Sequence, residues 1–301
     1  MLPQSLIEPI TRNLRDAGDV TPIRGARIVG GGCINQALRL ETEREVYFVK
    51  WNAQPLPRMF QTEASGLKLL QATGTVRVPA VLVAAEATGD HPAYLLMEWL
   101  GGSPGGYVDH ATLGTRLALL HQKGTSPRTP PAYGLDHDNY IGSTPQYNGW
   151  DANWVRFFGE QRLRPQMELA QRNGRLPSRR QHQLERLIER LESWLGGVER
   201  CPSLLHGDLW GGNVLAGPGN VPAIIDPAVY YGDREAELAY TELFGGFNTR
   251  FYQAYQETWP LPPGYADRRD LYNLYHLLNH LNLFGESYGS QVDRVLAEFA
   301  S

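Results

Sequence analysis

One stretch limits what this chain can fold into more than any other. It is His206-Gly207-Asp208-Leu209-Trp210-Gly211-Gly212-Asn213, followed thirteen residues on by Asp226. It sets two carboxylates and a carboxamide in the order that phosphoryl transfer to a hydroxyl requires. Asp208 is placed to accept the proton of the attacking hydroxyl. Asn213 and Asp226 offer hard oxygen ligands of the kind Mg²⁺ takes. Short apolar runs flank these residues: Leu204-Leu205, Val214-Leu215, and Ala223-Ile224-Ile225 just before Asp226. They read as strands that hold the loop. His206 is read as a residue that orients the loop and not as a proton carrier.

Protein kinases write the same parts as H-R-D-L-x-x-x-N followed by D-F-G, and the N-terminal third supplies the rest of such a site. Residues 28–40 read as strand, glycine turn, strand, with Gly30, Gly31 and Gly32 followed by Cys33 and Asn35. Consecutive glycines let backbone N–H groups approach phosphate oxygens; an ordinary hairpin turn has the same look. Residues 43–51 form a β-rich run that ends near Lys50. A lysine there can reach the phosphates of ATP, although alone it would be a surface charge. Residues 60–70 read as a helix with an early acid, Glu63, and a Lys–Glu pair between strand and helix fixes the phosphate-binding lysine in kinases. Two further strand-like runs follow at 76–84 and 93–100. The second ends on Met97, Glu98, Trp99 and Leu100, where an adenine-binding hinge would lie, just before the Gly/Pro/Ser-rich junction 101–106.

Beyond residue 100 the pattern turns helical. Residues 112–123 are amphipathic, with Thr112 as a candidate N-cap. Further helices are expected over 153–172, 178–195, 234–244 and 269–283. The expected fold is α+β, a two-lobed protein kinase-like architecture. A β-rich nucleotide-binding lobe spans 1–100, and a helical lobe spans 101–301 with the catalytic loop and the substrate site. The aromatic cluster Trp150, Trp154, Phe157 and Phe158 reads mainly as core.

The chain has 301 residues, 42% of them hydrophobic, ample for a sizeable core. A net charge of −4 does not call for nucleic acid or an anionic membrane as partner. The first residues lack a basic start followed by an apolar core, and no run approaches the ~20 apolar residues of a membrane span. Two cysteines, Cys33 and Cys201, are too few for a disulfide framework, so a reducing cytoplasm is the simplest compartment. P-loop, C-x-x-C, H-E-x-x-H and G-x-S-x-G motifs are absent.

The stretch after Asp226 departs from a protein kinase. Pro227-Ala228 replaces Phe-Gly, and Arg234 comes only eight positions after Asp226, which leaves no platform for a peptide substrate. These departures are those of the aminoglycoside phosphotransferase-like kinases. Within that group the chain closely resembles the fructosamine kinase (ketosamine 3-kinase) family. The resemblance rests on G-G-G-C-I-N-Q-A at 30–37, F-V-K at 48–50, E-A-x-G-L at 63–67 and N-Y-I-G at 139–142. It continues through H-G-D-L-W-G-G-N at 206–213 and D-P-A-x-x-Y-G-D-R-E at 226–235.

The resemblance implies ATP- and Mg²⁺-dependent phosphorylation of a ketosamine, free or protein-bound, at its third sugar carbon. The product is unstable and frees the amine, so the reaction repairs glycation. Within that reading Trp210 offers an indole face to the sugar, with packing against the lobe as the alternative, and Tyr231, Asp233 and Arg234 shape the acceptor pocket, with helix capping a sufficient alternative for Asp233. Cys33 is either a small residue in a tight turn or an accessible thiol that could link a homodimer under oxidation; a monomer is the alternative. Two other readings remain: a kinase of another hydroxylated metabolite or an aminoglycoside, and an inactive nucleotide-binding module. Joint retention of Lys50, Glu63, Asp208, Asn213 and Asp226 speaks against the last.

Overall fold

A computed structural model describes residues 2–30, 35–101 and 108–300. The expectations for Gly31, Gly32 and Cys33 therefore lie outside the described residues. The chain forms two compact units, one of Met1–Asp109 with Asn213–Pro227, the other of His110–Gly212 with Ala228–Ser301. A single break at residue 100 was expected. The boundary instead falls at 109, and the first unit also takes a later segment of chain.

The first unit opens with helix α1 (Gln4–Asp16). Leu6, Ile10 and Leu14 recur every fourth residue and line one face. All three are buried against Leu38, Leu40, Val49, Tyr94 and Leu96. Those side chains come from an antiparallel sheet of β1 (Ile23–Ile28), β2 (Gln36–Thr42), β3 (Val46–Asn52), β4 (Val81–Ala85) and β5 (Ala93–Glu98). The spatial order is β1-β2-β3-β5-β4. Between β3 and β4 runs helix α2 (Met59–Ala72), which buries Phe60, Ala64, Leu67 and Leu70. The expected strand at 76–84 starts only at Val81. The reason lies just upstream, where Arg77 bridges Ala223 and its carbonyl accepts the Ile224 N–H at 2.9 Å.

The second unit begins with helix α3 (His110–Lys123), so Thr112 lies inside the helix and does not cap it. A small hairpin follows, β6 (Asn139–Ile141) with β7 (Thr144–Gln146). The helix expected over 153–172 is three pieces: α4 (Trp154–Phe157), a π-helical segment Phe158–Leu163, and α5 (Arg164–Arg172). Pro165 explains the disturbance, because it has no N–H for the carbonyl of Gln161. The buried guanidinium of Arg162 donates to that carbonyl at 2.9 Å. The helical region after Pro177 likewise splits, into α6 (Ser178–Glu189) and α7 (Leu191–Leu195).

Strand β8 (Ser203–Leu205) then leads into the H-G-D loop. The chain next visits the first unit for the hairpin β9 (Val214–Ala216) and β10 (Pro222–Ile224). It returns as β11 (Tyr230–Gly232), which pairs antiparallel with β8. Helices α8 (Arg234–Leu243), α9 (Thr249–Thr258), α10 (Tyr265–Phe284) and α11 (Gly289–Phe299) complete the unit. Its core joins Trp154, Phe157, Phe158, Leu184, Leu205, Tyr230, Leu278 and Val292. The expected aromatic packing is present, with Trp154 stacked on Phe157 at 5.6 Å. Among the described residues no helix is long and apolar enough to cross a membrane.

Candidate active site

In the first unit the phosphate-binding candidates meet. Lys50 leaves the end of β3, and Glu63 sits in the first turns of α2. Lys50 Nζ lies 2.8 Å from Glu63 Oε1 and 2.5 Å from Asp226 Oδ1. Burial disfavours the Lys50 ammonium, but the carboxylates of Asp226 and Glu63 outweigh it and hold the lysine above its ordinary range. Lys50 therefore stays charged. Burial raises the Glu63 carboxyl above its ordinary range, against the pull of the Lys50 ammonium.

Asp226 reaches this position through an unusual backbone. Its φ is +58°, in the left-handed region. That conformation costs about 1 kcal/mol in most residues and is tolerated by Asp, whose short polar side chain bonds locally. The hairpin explains its spacing from Asn213. Val214 is in register with Ile224, and the Ile225 N–H donates to the Asn213 carbonyl at 3.0 Å. Asn213 and Asp226 thus flank the open end of one two-stranded ribbon, thirteen residues apart in sequence. Among the described residues no three His, Cys, Asp or Glu side chains gather to hold a metal ion by themselves. Mg²⁺ is commonly held by one or two carboxylates together with substrate phosphates. The Asp226–Asn213 pair, one carboxylate and one carboxamide oxygen, fits that mode.

The other nucleotide-binding expectations are placed as follows. Among the described residues, a Cβ added at Gly30 would meet nothing within 4 Å. Asn35 Oδ1 accepts from Asn52 Nδ2 at 2.9 Å. Met97 is buried in β5. Glu98 is tied down by Arg77 and by the Ala80 N–H at 3.1 Å, and its own N–H donates to the Ala80 carbonyl at 2.9 Å. Its N–H is therefore engaged within the first unit. The Trp99 ring stacks on Phe48 at 6.0 Å, with the Arg39 guanidinium over it.

In the second unit the H-G-D loop hangs from two anchors. The Ala228 N–H donates to the His206 carbonyl at 2.8 Å, which continues the β8–β11 ladder. From α8, Glu237 accepts the Gly207 N–H at 2.7 Å and the His206 N–H at 3.1 Å, and it also meets His121 Nε2 at 2.8 Å. Burial would raise the Glu237 carboxyl. The hydrogen bond and charge of His121, the charge of His206 and the Gly207 N–H bring it below its ordinary range. His206 is wholly buried, and its Nδ1 accepts the Asp208 N–H at 3.3 Å, the orienting role expected of it. Gly207 must be glycine: φ is +81°, and a Cβ there would stand 2.0 Å from the Ala228 carbonyl.

Trp210 is 42% exposed, two residues beyond Asp208. Its ring lies where a Cβ on Gly212 would come within 2.2 Å, so that glycine makes room for the indole. The acceptor-pocket roles expected for Asp233 and Arg234 are corrected. Asp233 caps α8 by accepting the Glu235 N–H, and it pairs with Arg200 at 2.5 Å and Tyr272 Oη at 2.8 Å. Arg234 donates to the carbonyls of Trp259 and Pro260 at 2.7 and 2.5 Å, under the Trp259 ring. Both side chains are buried and spent on structure. Tyr231 is mostly buried in β11 and stacks on Trp150 at 5.8 Å. Sequence reasoning missed Glu237 and His121. Their only signal was an acid on an apolar helix two residues after Glu235.

A strand lysine paired with a helix glutamate, and an anchored H-G-D loop on a helical unit, define a phosphotransferase of the protein kinase-like fold. The solved aminoglycoside phosphotransferase APH(4)-Ia agrees on the fold alone, at a TM-score of 0.64 and 15% identity, with 99% of each chain covered. A family model for fructosamine kinase matches residues 7–301, and the chain belongs to that family. It is 43% identical over 277 residues to a probable ketoamine kinase of Synechocystis sp., covering 92% of this chain and 90% of that one. It is 41% identical to a chloroplastic protein-ribulosamine 3-kinase of Arabidopsis thaliana, covering 97% and 87%. A provisionally named fructosamine-3-kinase of Haemophilus somnus superposes with a TM-score of 0.85 at 30% identity, 96% of each chain covered.

Proposed function

We propose that this protein transfers the γ-phosphoryl group of ATP to O3 of a ketosamine of the ribulosamine or fructosamine type. The observation that carries the transfer chemistry is Lys50 held between Glu63 and Asp226 at 2.8 and 2.5 Å. A lysine clamped in this way is set to hold phosphate oxygens. The acceptor class is supported by the relatives named as ketoamine and ribulosamine 3-kinases.

In this reading Lys50 grips the phosphates, and Asp226 with Asn213 would hold Mg²⁺, which when bound would supply neutralising charge for the phosphoryl oxygens. Asp208 takes the proton from O3 as O3 bonds to phosphorus; the bond from phosphorus to the bridging oxygen breaks and ADP leaves. Trp210 presents its exposed indole to the C–H face of the sugar. A phosphate at C3 leaves as inorganic phosphate once the ketosamine enolises toward C1, and water hydrolyses the imine left at C1, which frees the amine.

An ADP-release screen over ribulosamine, erythrulosamine, fructosamine, free sugars, choline and an aminoglycoside tests the proposal. Turnover is expected with the ketosamines, and phosphorus NMR of the product should place the ester on O3. ADP release with aminoglycosides alone would overturn the acceptor assignment.

A further inference from the structure

Arg77 lies between α2 and β4, in neither element, yet it joins two parts of the first unit. Its backbone pairs in parallel with Ala223 of β10, and its carbonyl accepts the Ile224 N–H at 2.9 Å. Its guanidinium donates to the Glu98 carboxylate at the end of β5 and to the Val78 carbonyl at 2.9 Å. Glu98 secures the same segment twice more. It accepts the Ala80 N–H at 3.1 Å and donates its own N–H to the Ala80 carbonyl at 2.9 Å. Glu98 is in register with Tyr47 across the β3–β5 ladder, and Lys50 lies three residues further along β3. A continuous path thus runs from the Lys50 strand, through Glu98 and Arg77, to the hairpin that carries Asn213 and Asp226.

We propose that Arg77 is a positioning residue for that hairpin: it fixes Asp226 and Asn213 relative to the Lys50 strand while nucleotide and Mg²⁺ are bound. The proposal rests on the reading of Asp226 and Asn213 as the metal ligands. A two-stranded ribbon is only marginally stable by itself, so its fastenings set where its open end lies. One fastening is Lys50 to Asp226 at 2.5 Å. Both of those groups are ones that nucleotide and metal would engage, so that contact is shared with the ligands. The Arg77 link uses no such group and holds whether or not the site is filled.

Exposure and shape agree with a role in placement. The Arg77 and Glu98 side chains are 32% and 31% exposed. An ion pair that open to water adds little to folding stability. A guanidinium is planar and donates from two nitrogens at once, here to Val78 and to Glu98. That fork fixes the direction of the segment as a single ammonium would not.

The test measures ATP affinity by calorimetry, with Mg²⁺ and with EDTA. It compares the full wild-type chain, Arg77→Gln, Glu98→Gln, the double variant and Asp226→Ala. Arg77→Gln should lose about tenfold in affinity with Mg²⁺, the scale expected when a group that orients metal ligands is removed. In EDTA it should keep wild-type affinity, and its denaturant midpoint should stay at the wild-type value. Glu98→Gln should change in the same direction. The double variant should fall no further than Arg77→Gln, because the two side chains act as one pair. If Arg77→Gln does not fold, Glu98→Gln carries the same comparison. A wild-type Mg²⁺ gain in Arg77→Gln overturns the positioning role, and so does an equal loss with and without Mg²⁺. A double variant whose loss is the sum of the two single losses overturns it as well. Asp226→Ala separates the two ideas. If it loses the Mg²⁺ gain while Arg77→Gln keeps it, only the positioning role fails. If Asp226→Ala keeps the gain, the metal assignment fails and the proposal with it.

Discussion

At the scale of single residues, the first unit concentrates its charge around Lys50. The side chains of Lys50 and Glu63 are 10% and 13% exposed, while that of Asp226 is 40% exposed. Removing the lysine leaves Glu63 buried beside a second carboxylate. Lys50→Met is therefore expected to lower stability by about 3 kcal/mol, the usual cost of breaking a buried pair from one side. Asp226→Asn should cost much less, because its carboxylate is partly solvated. Denaturant unfolding of both variants checks the order; equal midpoints would show that the Lys50 cluster is not a structural ion pair. Asp208, Asn213 and Asp226 were legible as a motif because phosphoryl transfer needs those residue types in that order. Glu237 was not, because its partners are backbone N–H groups about thirty residues away.

At the scale of elements, polar residues tie strands to helices. Asp19, between α1 and β1, accepts from Thr21 Oγ1 at 2.5 Å, Thr42 Oγ1 at 2.7 Å and Tyr47 Oη at 3.0 Å. Burial works to raise its carboxyl, but these donors dominate and bring it from an ordinary 3.8 down to about 2. A depressed carboxyl contributes stability above its unfolded value and loses it as pH falls through the folded one. The contribution is thus complete above about pH 4 and gone below about pH 2, with a size of about 1–2 kcal/mol after solvent screening beside the edge strand. Wild type should unfold at higher denaturant than Asp19→Asn at pH 6, and the gap should narrow as pH falls toward 2. A constant gap would assign the difference to packing. Helix α1 escaped the sequence reading because Pro9 sits inside it, although Leu6, Ile10 and Leu14 carry a clear helical period. The region 153–172 looked like one helix because its apolar spacing continues across Pro165, and only the Arg162 contacts show how the break is accommodated.

At the scale of the whole molecule, the chain leaves the second unit after Gly212, builds one hairpin in the first, and returns at Ala228. That excursion delivers Asn213 and Asp226 to the unit that holds Lys50. Nucleotide binding should therefore be read out by the stability of the full chain. A ligand held at about 100 times its Kd stabilises the native state by about 2.7 kcal/mol. ATP with Mg²⁺ should raise the unfolding midpoint of wild type, and ATP with EDTA should raise it less. With Asp226→Ala the Mg²⁺-dependent part should vanish. Calorimetric scans in the four combinations decide it, and an undiminished Mg²⁺ effect in Asp226→Ala would remove that residue from the metal site.

The sequence by itself determined the β-rich and helical halves, the transfer chemistry and the strand-lysine to helix-glutamate pair. Each depends on local periodicity or on residue types at short spacing, which the order of residues carries directly. Tertiary structure alone decided that Asp233 and Arg234 are buried in structural networks, that the hairpin after Gly212 belongs to the first unit, and that Glu237 accepts the Gly207 and His206 N–H groups of the H-G-D loop. Those outcomes depend on which side chains a distant helix brings against a loop. A charged residue reads the same in sequence whether it faces solvent, a substrate or a buried partner.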